Sequence, residues 1–136
     1  MYKNKNALGH NKYFDLKLGL ISGLLMGVIV FFINWDYGIG NGLIAASKQA
    51  FYTFIAGGIM MRMTENIASR FSNDFVAIFF AVLIPTTIAV TLTYLLHSIK
   101  GTPEPLNSTI PTMLLAPFGF LWWAVRKRKQ LKNIRD

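Results

Sequence analysis

LGLISGLLMG, Leu18–Gly27, sets Gly19, Gly23 and Gly27 four residues apart inside an apolar run. In water, each glycine would cost such a helix about 1 kcal/mol relative to alanine. Lipid changes the balance. Its tails are as apolar as leucine, so helices associate there through close van der Waals contact, and a column of small residues forms a groove for a neighbouring backbone. The stretch therefore predicts a membrane helix packed closely on a second one. Gly57 and Gly58, on the next apolar segment, fall at a similar depth if the two helices run antiparallel.

The rest of the chain has the same character. Of its 136 residues, 53% are hydrophobic and 15% charged. The charges are clustered, leaving apolar stretches at Leu18–Ile33, Gly42–Met61, Phe75–Leu96 and Ile110–Val125. A hydrocarbon core of about 30 Å needs about 20 residues of helix. Barrel strands would alternate apolar with polar residues, and AIFFAVLIPTTIAV, Ala77–Val90, does not. The predicted fold is an all-α membrane protein. Its single domain has four transmembrane helices in two antiparallel hairpins, preceded by a basic segment (1–17) and followed by a basic tail (126–136). No small-x-small cleavage pattern follows the first stretch, so it is read as a retained span. There is no cysteine, which excludes disulfides and thiolate chemistry.

Charge sets the orientation. Lys3, Lys5, Lys12 and Lys17, then Arg62 and Arg70, then Arg126, Lys127, Arg128, Lys129, Lys132 and Arg135 fall on one side of a four-span chain. The other side receives Asp36, Lys100 and Glu104. The positive-inside rule then makes both termini cytoplasmic, as in a multi-pass protein of a bacterial inner membrane. The net charge of +8 is explained by orientation and by attraction to anionic phospholipids, and a nucleic-acid role is disfavoured. Trp122 and Trp123, just before the basic tail, are expected to anchor it at the headgroups together with Arg126, Lys127, Arg128 and Lys129.

Proline marks the second hairpin. Pro85 and Pro117 lie near the middle of the third and fourth apolar stretches, and each withholds an amide from the carbonyl four residues earlier, Ala81 and Met113. With Thr86 and Thr87 beside them, they form a candidate midplane kink site, because broken helices at this depth accompany binding sites in transporters. In the connection before the fourth stretch, Pro103 and Pro105 favour extended and turn backbone. Ser108 or Thr109 is expected to cap the fourth helix, with Pro111 in its first turn.

Ionisable groups within a span are functional candidates by default. Lys48, followed by Gln49, Tyr52 and Thr53, lies in the outer third of the second span. A lysine at a helix centre costs roughly 2.5–3.5 kcal/mol, but one this near the end can extend its ammonium to the headgroups. Alternatively it meets an anionic lipid or a carboxylate of another subunit, since no acidic residue of this chain lies at that depth in a span. Arg62, Glu65, Asn66 and Arg70 are expected on one helical face, solvated, contacting headgroups or holding a phosphate. His10 and His97 fall on opposite membrane faces, so no metal or other cofactor is expected. The carboxylates Asp15, Asp36, Glu65, Asp74, Glu104 and Asp136 are scattered over termini and loops, which argues against an enzyme. Two functions remain. One is a small non-catalytic integral membrane subunit that stabilises or regulates a larger complex, through contact with other subunits or itself. The other is a small lipid or solute translocation component handling an anionic headgroup or substrate.

Overall fold

The computed structural model describes residues 12–101 and 105–135. Among them every regular element is helical: α1 Leu16–Ile33, a 3-10 turn Trp35–Tyr37, α2 Ile39–Ala68, α3 Asp74–Ile99 and α4 Pro105–Arg135. Lys3, Lys5, His10, Pro103, Glu104 and Asp136 lie outside the described residues. Three of the helices, α1, α3 and α4, are long and apolar enough to cross a membrane. At 30 residues α2 has the length. It is not among the three because Ser47, Lys48 and Gln49, then Tyr52 and Thr53, interrupt its apolar stretch.

The last helix departs from the expected boundaries at both ends. It starts at Pro105 instead of near Ile110, because proline suits the first helical position, where its missing amide has no partner to lose. Thr109 is consequently inside the helix, its hydroxyl donating to Pro105 O at 2.8 Å, and does not act as a cap. Pro111 falls beyond the first turn. At the other end the basic segment continues as helix to Arg135, where lysine and arginine are favoured by the helix dipole.

The chain divides within α2 into two compact units, Met1–Arg62 and Met63–Asp136. In the first, Asp15 caps α1, its Oδ1 accepting the Leu18 amide at 2.9 Å. Position by position, Gly19 faces Phe54 and Gly58, Gly23 faces Ala50 and Phe54, Gly27 faces Ala46 and Ala50, and Gly42 faces Phe31. Numbers rise on one helix as they fall on the other, so α1 and α2 form an antiparallel hairpin in contact along most of α1. Gly38, at φ 90°, makes the turn between them in a conformation that other residues rarely adopt.

The second unit joins the end of α2 to α3 and α4. Fully buried Ala68, Ala81 and Ala124, one from each helix, form its apolar centre, with Ile67 and Ile78 packed against them. Asn73 caps α3 by accepting the Val76 amide at 3.1 Å. Asp74, the first residue of α3, is reached by Arg128 and Lys132 from the last turns of α4, so α3 and α4 are also antiparallel.

Candidate functional site

The glycine column sits in the α1–α2 seam. A Cβ built on Gly19 would lie 2.7 Å from Phe54 O, and one on Gly23 would lie 2.7 Å from Ala50 O. On Gly27 the nearest atoms are Ala50 Cβ at 3.0 Å and Ala46 O at 3.4 Å. A Cβ on Gly57 would lie 2.9 Å from the Ser22 hydroxyl oxygen, and Gly58 leaves room for the Phe14 ring. The closest atoms at Gly19 and Gly23 are backbone oxygens, which cannot rotate away as a side chain can.

Three of the acidic residues that look scattered in the sequence, Asp15, Glu65 and Asp74, are each paired with a base inside their own unit. Asp15 Oδ2 lies 3.4 Å from Arg62 Nη2, and the Asp15 amide donates to Gly58 O at 2.9 Å. The start of α1 is thus tied to α2 by its cap residue. Arg62 is 8% exposed. This corrects the expectation of a solvated or headgroup-binding arginine: α2 runs back past the start of α1, and the guanidinium is enclosed there with a carboxylate.

Arg128 is the larger correction. Placed in an anchoring tail by the sequence, it is 6% exposed. Its Nε donates to Asp74 Oδ1 at 2.6 Å and its Nη2 lies 2.5 Å from the same oxygen. Nη1 donates to Ala68 O at 3.0 Å and Phe71 O at 2.7 Å, and Nη2 donates to Ser72 O at 2.9 Å. The planar fork of donors suits this task, since the carbonyls closing α2 have no partners within the helix. Lys132 Nζ, 2.5 Å away, also reaches Asp74. Lys127 Nζ donates to Glu65 Oε1 at 2.6 Å, so Lys127 too belongs to an internal pair. Arg70 lies in the turn after α2 and not on the face carrying Arg62 and Asn66, because α2 stops at Ala68. Lys129 is exposed, and Arg126 sits over both Trp122 and Trp123 at 5.4 Å from each ring centroid. The available signal for these locks is positional: an acid beginning one helix of a hairpin, and a base near the end of the helix that returns.

The two prolines share a level. Pro85 comes eleven residues after Asp74 and Pro117 eleven before Arg128, about 16 Å along each helix. Their deprived carbonyls do not converge, however. Ala81 precedes Pro85 and Met113 precedes Pro117 on helices of opposite direction, which separates them by about 12 Å along the hairpin axis. Thr87 donates to Leu83 O at 2.8 Å, while Thr86 Oγ1 is buried without a hydrogen-bond partner.

Lys48 stands apart from the locks. It is exposed on α2, and no carboxylate among the described residues pairs with it. Next to it Gln49 donates to the Thr53 hydroxyl at 3.0 Å, and Tyr52 packs edge-on to Phe51. No family model, curated protein or solved structure matches this chain.

Proposed function

We propose that the chain is a small four-span membrane subunit that stabilises or regulates a larger membrane complex and carries out no chemistry of its own. The fourth span rests on packing. Because α2 lies against α1 along its length, α2 crosses wherever α1 crosses, and the glycine seam offsets the polar cost at Lys48 and Gln49. Each hairpin returns to the side on which it began, which supports two termini on one side. The surplus of basic residues at the end of α4 makes that side cytoplasmic by the positive-inside rule, in a bacterial inner membrane whose anionic lipids it faces.

One observation carries the functional reading. Internal ion pairs take up Arg62, Lys127, Arg128 and Lys132, whereas Lys48, inside the apolar body of α2, lies outside them. A cation left over among exposed apolar side chains is an attachment point for something beyond this chain. The test is purification from native membranes in a mild detergent. A larger membrane protein retained in fixed stoichiometry through successive columns is expected. A monodisperse chain that retains no partner and no second copy at any detergent concentration would overturn the reading.

The translocation reading keeps one favourable observation, the partnerless Thr86 hydroxyl beside Pro85. Against it, Arg62 and Arg128 are already held by carboxylates. Stabilisation of the isolated protein by one lipid or solute class, lost in Thr86→Val, would favour it.

A further inference from the structure

We infer that the face of α2 opposite α1 is a docking surface for a transmembrane helix of another protein, one carrying a single aspartate or glutamate in its outer third. This rests on the subunit reading and specifies the partner's chemistry. Near Lys48, α2 contacts α1 through Ala46 and Ala50, which flank Gly27. Lys48 is two residues from each, about 200° around the helix at 100° per residue, so it projects from the far side. Ile44, Phe51 and Ile55 fall on that same side by their spacing, and all are exposed, Ile44 at 57% and Phe51 at 61%. The result is an apolar strip with one positive charge at its centre.

The level of that charge decides what can neutralise it. Lys48 is level with Gly27, six residues before α1 ends at Ile33, about 9 Å at 1.5 Å per residue. A lysine side chain reaches about 6 Å, so its ammonium remains short of the helix end even when fully extended toward it. A carboxylate on an adjoining helix meets it directly. The Asp36 of this chain, three residues beyond the end of α1, is higher than the ammonium, and Asp15, Glu65 and Asp74 are held in the locks. The strip supplies van der Waals contact, and the lysine selects among apolar helices those with an acid at the matching depth.

The test reconstitutes the full chain in phosphatidylcholine vesicles with a designed Leu/Ala peptide of about 24 residues. The peptide carries one Glu about six residues from its outer end, and a twin carries Gln at that position. Association is read by energy transfer between a label on the peptide and one on the protein. The Glu peptide is expected to bind about tenfold more tightly than the Gln peptide, with the preference lost in Lys48→Met and kept in Lys48→Arg. Equal binding of the two peptides by the unsubstituted protein overturns the proposal, whether or not any variant folds. So does a preference that survives Lys48→Met. Loss of the preference when phosphatidylglycerol replaces half of the lipid assigns Lys48 to lipid phosphate and also overturns it. Retention of a native partner in detergent despite equal peptide binding would leave the subunit reading standing and remove only the carboxylate.

Discussion

Replacing Gly23 by alanine tests the α1–α2 seam with a single methyl group. The new Cβ would lie 2.7 Å from Ala50 O, 3.1 Å from Phe54 Cβ and 3.3 Å from Phe54 Cα. None of these atoms can move by side-chain rotation, so the helices must separate by roughly half an ångström, and a gap of that size forfeits a quarter or more of each affected contact. Overpacking of this kind costs about 1–3 kcal/mol. Alanine returns at most about 1 kcal/mol through helix propensity, so the net effect is about 1–2 kcal/mol of destabilisation. Gly27→Ala meets a methyl group at 3.0 Å and the nearest oxygen only at 3.4 Å; its clash is milder, and the two effects nearly cancel at about 0 kcal/mol. Leu24→Ala trims a side chain that is 67% exposed and should leave the seam intact. Reversible unfolding in mixed micelles, followed by circular dichroism at increasing dodecyl sulfate fraction, would rank the three. The reasoning fails if Gly23→Ala is neutral or stabilising, or if Gly27→Ala costs as much.

The remaining predictions address the locks and the topology. Asp15→Asn retains an acceptor for the Leu18 amide but removes the negative charge that lies 3.4 Å from the enclosed Arg62 guanidinium. Loss of about 3 kcal/mol is expected, and a double-mutant cycle with Arg62→Met in the same unfolding assay should return a coupling well above that of an exposed pair. Arg128→Met leaves the fully buried Ala68 without its guanidinium donor and should cost about 1–3 kcal/mol, whereas Lys132→Met, at an exposed position, should change the unfolding midpoint little. The protein has no native thiol, so Asp36→Cys and Gln130→Cys can be labelled singly in intact cells. An impermeant maleimide should reach residue 36 from outside and residue 130 only after permeabilisation, and the reverse pattern would invert the proposed orientation.

Several features were legible in the sequence alone because they depend on solvent and local chain geometry. Apolar run lengths revealed a helical protein suited to a membrane, and the four-residue spacing of Gly19, Gly23 and Gly27 identified the contact face of α1, since both follow from helix periodicity and the absence of side chains. Clustered lysines and arginines support only a proposed orientation, which depends on where they fall between spans and not on what they touch. The ion pairs were of another kind. Asp15 and Arg62 are 47 positions apart and Asp74 and Arg128 are 54 apart, and only antiparallel return of the chain brings each pair together. Arg128, read as part of a headgroup anchor, and Arg62, read as solvated or headgroup-contacting, are thereby enclosed partners of helix-start carboxylates. Tertiary structure likewise decided that the carbonyls deprived by Pro85 and Pro117 lie apart, because level prolines on opposed helices displace their i−4 carbonyls in opposite directions. It also decided that Lys48 turns away from α1: a charge on one helix acquires an inside or an outside only once the neighbouring helix has taken its side.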